Sequence, residues 1–547
     1  MIPVLTLHNP EASARYYAEG TWTADTFYSL LANHAEKRPN APALRDSARR
    51  LTWGRLKARV DAAAAALVGA GLAKGERLAF MMSNRAEGVI VMLAAARNAY
   101  ICNPSLHQNF TVEEVLAFLE HLGAKALVHE CGYGADADKR DLLEEAGKIK
   151  ALKGLFALAP GRGKLENFMP AGEHTAPEAN ENPDKICYLA FTSGTTGNPK
   201  GVMHSDNTLM ANARDMVKSW GHNEDSIILS LSPISHHIFW VAMAQALVAG
   251  CELVINDPSE DMTPLDWIVE VGATYVMGVP THAMDILADQ KSRGMESLGA
   301  VKMFYMAGAS IPISVARAFL DQGIKPQNVY GMTENSSHHF TWPNDPPDII
   351  CATCGRGGKA YEVKIFDTEN SDVEVPAGEV GQIGGKGAAL MLGYFANQEA
   401  TQGSFNSNGW FLSGDLGRLD ENGCLVFAGR LKDMIIRGGR NIYPARIENL
   451  AHHHANIDKA AAFPIADKRL GEKVCLAVLP AGEAPAADEI LAHLFEAGLS
   501  KHDMPEYYIV MDDLPLTASG KILKRELVEW VRQGEILPDA VRWTGPD

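Results

Sequence analysis

Short apolar runs and longer mixed-polarity stretches take turns along the first part of the chain. Residues 26–35 read as a helix, and the alanine-rich run 56–72, with few breakers, predicts a second that ends at Gly69–Gly71. Residues 76–82 form a short apolar strand and residues 87–100 another helix. Alternation of this kind over 25–130 predicts parallel α/β layers. Residues 159–184 are polar, rich in Gly and Pro and without period, which predicts a surface linker. A strand follows at 185–191, then a loop, and Ser205 or Asp206 suits the N-cap of a helix running to about Trp220. From 355 to 427 the pattern turns to short strands divided by glycines, the mark of a small β-barrel-like subdomain. Near 430 it changes again: 432–436 reads as a strand, Pro444 suits a helix start, and the rest mixes both types. The expected class is α/β, with a large layered domain over 1–430 and a small mobile α+β domain over 431–547.

The length of 547 residues, 46% of them hydrophobic, supplies more core than one compact domain needs. Acidic side chains outnumber basic ones 67 to 50, a formal charge of −17, so a sequence-independent grip on nucleic acid is not expected. Any anionic ligand has to be held by local positive charge against that field. The eight cysteines are scattered, and the single CxxC at Cys351 and Cys354 has no second pair for zinc. Reduced, structural thiols fit best. The first residues lack the basic and apolar regions of a signal peptide. No uncharged apolar run approaches the roughly 20 residues of a membrane span. A cytoplasmic protein without stable membrane insertion is the expectation.

The stretch LAFTSGTTGNPKG at 189–201 carries the first chemistry. Gly194 and Gly197 permit positive φ and close backbone approach, so successive N–H groups can converge on an oxygen. Thr192, Ser193, Thr195 and Thr196 add neutral donors, and Lys200 adds charge. The composition suits a phosphate cradle, with an ordinary Ser/Thr/Gly hairpin as the plain alternative. The order of residues is not that of a Walker A loop.

TSGTTGNPKG resembles the signature loop of the adenylate-forming enzymes, which include acyl- and aryl-CoA synthetases, carrier-protein adenylation domains and beetle luciferases. Four further motifs stand in that family's order: YGMTE at 330–334, WFLSGD at 410–415, GRLKDMI at 429–435 and LTASGK at 516–521. The resemblance spans roughly residues 25–530. It implies an AMP-forming ligase that uses ATP, Mg²⁺ and CoA. A carboxylate is a poor electrophile; adenylation replaces oxide with a stabilised phosphate leaving group, and needs positive charge at the α-phosphate.

The resemblance also assigns roles. Glu334 would hold Mg²⁺, Thr333 would bond the α-phosphate, and Tyr330, with Gly331 and Met332 beside it, would stack on adenine. Gly308, Ala309 and Ser310 would border that ring. Asp415 and Arg430 would bind the ribose, with Ser413 where the family has threonine. Lys521 would reach both the substrate carboxylate and the α-phosphate and neutralise the repulsion between these two anions, while Lys200 would add charge at the phosphate loop. For the thiol step the small domain would swing at Lys432 and bring Gly438 and Gly439 to the pantetheine tunnel, with Arg437, Arg440 and Arg446 near the CoA phosphates. CoA brings its own sulfur, so no catalytic cysteine is required. Pro515 and the following residues to Lys521 match a pattern of regulatory lysine acetylation in the family. A homodimer is the remaining expected partner.

For the acid itself, the PISHHIFW segment at 233–240 resembles the floor of the acyl pocket. His236, His237 and Trp240 would line it, with Met277, Met306, Gly331, Met332, Ser337 and His338. These side chains suggest a medium-sized, alicyclic or aromatic carboxylate, in the manner of cyclohexanecarboxylate-type or medium-chain ligases. Two other readings stand beside the CoA ligase: a stand-alone enzyme that loads a carrier protein, and a non-catalytic nucleotide-binding protein of the same fold. The segment GRGGK at 355–359 departs from the family's usual form. His452, His453 and His454 fall on an expected helix, where neighbours point to different faces and do not make a metal site.

Overall fold

Every residue of helix Ala86–Arg97 is buried, and helix His237–Ala249 is buried from Phe239 to Leu247. A helix without a polar face belongs between layers. Both lie, with helices Trp53–Gly69 and Asp206–Trp220, in one continuous core shared by two sheets. This computed structural model describes residues 5–7, 9–192, 199–308, 311–516 and 522–545.

The first sheet has six strands, in the order Gly154–Leu158, Ala126–Glu130, Arg77–Met81, Ile101–Asn103, Ile186–Thr192 and Lys200–Ser205. All pairings are parallel except the last. The second has eight strands: Ser336–Phe340, Lys325–Met332, Met303–Met306, Tyr275–Gly278, Ile227–Ser230, Glu252–Ile255, Pro42–Arg45 and Arg50–Thr52. It is parallel except at its two ends. Outer helices cover the far face of each sheet through separate cores. The layered α/β expectation holds, and the predicted elements fall within a few residues of the observed ones. Ser205 caps its helix by accepting from the Thr208 amide.

Residues 355–427 depart from the barrel-like expectation. Strands Tyr361–Phe366, Gly381–Gly387, Phe411–Leu419 and Leu425–Arg430 form an open antiparallel sheet in chain order. Four strands are too few to close around a filled interior; the sheet instead packs one face on a core that includes Tyr330. The small C-terminal domain has its own sheet and two cores. Its expected first strand starts later than 432. Leu431–Asp433 is a 3₁₀ turn, so Lys432 lies in the connection, and the strand is Ile435–Arg437. Helix Pro444–Ala451 begins at the expected proline but stops before the histidines, with His452 as its C-cap.

The linker 159–184 is tied down more than its composition suggests, because Leu165, Phe168 and Met169 are buried in the main core. All eight cysteines are free thiols. Among the described residues, no helix is long and apolar enough to cross a membrane.

Candidate functional site

Strands Ile186–Thr192 and Lys200–Ser205 are the two arms of the glycine-rich hairpin, with Thr192 opposite Lys200. Ser193, Gly194, Thr195, Thr196 and Gly197 lie outside the described residues, as do Ala309, Ser310 and Lys521. The chain segment around Tyr394 runs along the Lys200 strand. Phe395 N donates to Gly201 O, Met203 N to Gly393 O, and Leu392 N to Met203 O. That pairing sets the Tyr394 ring beneath the Lys200 ammonium, 4.8 Å from Nζ to the ring centroid. The Tyr394 hydroxyl donates to Glu334 Oε1 at 2.9 Å.

Glu334 lies in the turn between strands Lys325–Met332 and Ser336–Phe340. The turn is tight because Gly331 has no side chain: a Cβ there would sit 1.7 Å from Ser336 O. Burial pushes the Glu334 pKa up, opposed by the Tyr394 hydrogen bond and by the charge of Lys200; Asp415 adds a further upward push. One carboxylate, poorly hydrated and beside a lysine, suits a divalent ion that takes most of its oxygens from phosphates and water. His204 holds the same turn from below. Its Nε2 lies 2.6 Å from Thr333 O, and a carbonyl can only accept, so Nε2 carries the proton. Nδ1 then accepts from Thr208 Oγ1 at 3.0 Å. Burial lowers the His204 pKa to about 4 and keeps this neutral tautomer.

Asp415 and Arg430 face each other across strands Phe411–Leu419 and Leu425–Arg430, with Arg430 Nε 3.6 Å from Asp415 Oδ1. Ser413 Oγ accepts from the Asp415 amide at 3.1 Å, so its hydroxyl shapes the turn before the carboxylate. Tyr330 donates to Asp415 Oδ2 at 2.9 Å. The tyrosine expected against adenine is thus buried in this structure, with its hydroxyl on the Asp415 carboxylate. Gly308, two residues beyond strand Met303–Met306, has φ +90.

The residues expected to line an acyl pocket divide into groups. Met277 pairs with Tyr305 and faces the main core, whereas Met306 pairs with Gly278 and faces the outer helices. Adjacent strand positions point to opposite faces, so Met306 does not share a wall with Met277. Trp240 is fully buried among Phe80, Phe239 and Tyr188. His237 bonds the Tyr188 hydroxyl and Ser336 Oγ at 3.2 and 3.1 Å. Ser337 bonds the Tyr305 hydroxyl at 2.7 Å. His338 stands away from them, against Tyr330 and Tyr361. Met332 is half-buried at the end of its strand. His236 stands at the N-cap position of helix His237–Ala249, and its ring lies 4.7 Å from that of His107, a residue that sequence reasoning did not single out. His204 and Tyr394 were also missed, although both flank recognised motifs.

The GRGGK segment takes its form from the strand beneath it. Gly357 has φ +70, and a Cβ there would lie 2.3 Å from His338 O. Asp215 receives the end of this loop, accepting from Ala360 N at 2.6 Å. In the small domain, Gly438 and Gly439 form the exposed turn of hairpin Ile435–Arg437 and Arg440–Ile442. Arg437 and Arg440 pair with Glu506 and Asp503 at 3.1 and 2.8 Å. Arg446 donates to Gly498 O. The large domain's Asp285 lies in the field of the small domain's Lys459 and Asp458.

Comparison with known proteins bears directly on this geometry. The model of the AMP-binding enzyme family matches residues 31–395, and that of the AMP-binding enzyme C-terminal domain matches residues 446–521. The medium-chain fatty-acid–CoA ligase of Escherichia coli (strain K12) is 27% identical over 527 residues, covering 94% of this chain and 92% of that protein. A feruloyl-CoA synthase from an Amycolatopsis species is 30% identical over 495 residues, covering 90% and 96%. The ATP-bound crystal structure of MatB from Rhodopseudomonas palustris, 26% identical, superposes with a TM-score of 0.81, covering 94% of this chain and all of that one. The apo structure of the same protein gives 0.73, so the arrangement seen here is nearer the ATP-bound one.

Proposed function

The chain belongs to the AMP-binding enzyme family, and from that premise we propose how its residues divide an acid–CoA ligation that uses ATP, Mg²⁺ and CoA. The reaction is AMP-forming: acid and ATP give acyl-adenylate and pyrophosphate, and the CoA thiol then displaces AMP. One observation supports the division of labour best. Glu334 lies in the electrostatic reach of both Lys200 and Asp415, which joins three separate motifs at one place.

Asp415, aligned by Tyr330 and Arg430, accepts from the ribose hydroxyls of ATP. Thr333, fixed through its carbonyl by His204, offers its hydroxyl to the α-phosphate. Glu334 would hold Mg²⁺, which supplies positive charge to the phosphates. Lys200, placed by Tyr394 and the glycine-rich hairpin, adds charge on the pyrophosphate side. Lys521 bridges the substrate carboxylate and the α-phosphate, so that the carboxylate oxygen can attack phosphorus. A turn of the domain over 431–547 about Lys432 then withdraws Lys521 and brings Gly438, Gly439 and Arg440 to the site for the thiol. The domain position nearer to an ATP-bound relative, with that glycine turn exposed, fits the first of these two steps.

The acid is medium-sized, alicyclic or aromatic. Trp240 and Met277 of the main core, with His236 and Ser337, support that range. Acetylation of Lys521 would remove the bridging charge and switch adenylation off. The buried free thiols fit a cytoplasmic setting. The deciding experiment is pyrophosphate release with ATP and Mg²⁺ across a panel of carboxylic acids, with and without CoA. Acid-dependent release, with acyl-CoA formed only when CoA is present, is the expected result. Release that no acid stimulates would overturn the reading. The variant Lys521→Gln should lose pyrophosphate release yet still convert a supplied acyl-adenylate to acyl-CoA.

A further inference from the structure

Three histidines from distant parts of the chain meet where ligands enter open α/β sheets, at the carboxyl ends of parallel strands. His107 follows strand Ile101–Asn103, His236 follows strand Ile227–Ser230, and His282 follows strand Tyr275–Gly278 in the first turn of helix Pro280–Ser292. The rings of His107 and His236 lie 4.7 Å apart at 30°, and both His107 and His282 act on His236 electrostatically. None of the three is fully buried, so they are not simply core.

Their hydrogen bonds leave specific capacity unused. His107 Nδ1 bonds Ser235 Oγ at 2.8 Å. His282 Nδ1 accepts from the Val279 amide at 3.3 Å, so in the neutral ring Nε2 carries the proton. His236 Nε2 is buried with no partner among the described residues. An orphaned buried nitrogen in a native site calls for a partner that the chain does not supply. A metal is not that partner: no group of three His, Cys, Asp or Glu side chains among the described residues could hold one.

We infer that the acyl subsite bounded by His107, His236 and His282 selects a carboxylic acid bearing a neutral hydroxyl or carbonyl oxygen on its acyl portion over the same acid without it. Burial holds the pKa values of His107 and His282 near 4 and of His236 near 3, so the wall is uncharged at neutral pH. An uncharged imidazole both donates and accepts, which matches a hydroxyl. A second carboxylate would have to shed water against a chain of net charge −17 without a cation to meet it. This inference rests on the acid–CoA ligase reading and narrows its substrate class.

The test compares kcat/KM within pairs of acids on one enzyme preparation, by pyrophosphate release: 4-hydroxybenzoate against benzoate, and 6-hydroxyhexanoate against hexanoate. The ratio cancels any loss of folded protein. The wild type should favour the oxygenated member of at least one pair by about tenfold or more, since a site built to bond a hydroxyl rejects the analogue that lacks it. His236→Phe and His282→Leu should each bring that ratio to about one or below. A wild-type ratio at or below unity in both pairs, or one unmoved by both substitutions, overturns the inference and leaves the ligase reading intact. Absence of pyrophosphate release from any acid strikes the ligase reading itself, and this inference with it.

Discussion

The Tyr394 hydroxyl donates a 2.9 Å hydrogen bond to Glu334 Oε1. The same ring lies under Lys200, so one side chain positions both the carboxylate and the ammonium proposed to serve the phosphates. Tyr394→Phe keeps the ring and removes the donor. A hydrogen bond to a charged group contributes about 1.5–3 kcal/mol, so adenylation should slow by roughly ten- to a hundredfold. The Mg²⁺ concentration giving half-maximal rate should rise as well. An unchanged rate and an unchanged Mg²⁺ titration would show that Tyr394 is only packing.

Glu334 carries a charge that its surroundings disfavour. Its pKa is raised by burial, so the native state holds this proton more tightly than the unfolded chain. Stability contributed by the protonated form is lost as pH rises through the native pKa. Glu334→Gln removes that loss. The variant should therefore melt above the wild type at neutral pH, with the difference closing as pH falls toward the ordinary carboxylate range. Its adenylation rate should drop by about a hundred- to a thousandfold, as for other groups that stabilise developing charge. A melting difference that stays constant from acid to neutral pH would refute the role of the buried charge.

His204 reaches the site through a carbonyl. Its Nε2–H bonds Thr333 O, so His204→Leu leaves a poorly solvated acceptor unpaired at a cost of about 1–3 kcal/mol. The KM for ATP should rise, because the Thr333 turn loses its anchor. His204→Gln can return an N–H to nearly the same place and should restore much of the loss. Equal behaviour of the two variants would mean that volume, not the hydrogen bond, is what the position needs.

Which parts of this site are legible in the sequence follows from distance along the chain. Ser205 and Pro444 act on the helices they begin, and both are read from neighbouring residues alone. Asp415 and Arg430 stand in separate motifs, and the hairpin between them brings them opposite each other. Tyr394 and Glu334 are 60 positions apart, and His204 and Thr333 are 129 apart. Nothing local marks either pair, since neither a tyrosine after glycine nor a histidine after methionine signals a distant partner. The separation of Met277 from Met306 depends on strand register, which composition does not encode. The open sheet over 361–430 is hidden for the same reason: strand content predicts strands, but closure depends on their number and stagger.

Gly331 is fixed by space rather than by chain flexibility. Its missing Cβ would stand 1.7 Å from a backbone oxygen, that of Ser336, which cannot move without breaking the turn that carries Glu334. Gly331→Ala should destabilise the protein by several kcal/mol, about as other overpacked or strained positions do. Where folded protein survives, Mg²⁺-ATP binding measured by calorimetry should be lost. A variant that melts within a degree of the wild type and binds ATP normally would contradict the turn described here.

Burial of so many imidazoles has a consequence for the whole molecule. His107, His204, His222, His282 and His339 have pKa values lowered to about 4, and His236 to about 3. Each falls below the ordinary value of about 6.5, so between these limits the unfolded chain binds more protons than the native one. Stability must then rise with pH across that window and fall on acidification, by up to about 1.4 kcal/mol per pH unit for each such histidine. The melting temperature should drop steeply from pH 6.5 toward pH 4.5, and binding of ATP should not abolish the slope, because His222 and His339 lie outside the phosphate contacts. His222 is the cleanest probe. Neither of its ring nitrogens has a hydrogen-bond partner among the described residues, and its ring centroid lies 4.4 Å from that of Tyr275. His222→Phe should flatten part of the acid limb while leaving the melting temperature at pH 8 within a few degrees of the wild type. If the variant follows the wild-type curve at every pH, the proton uptake that drives acid unfolding does not involve this histidine.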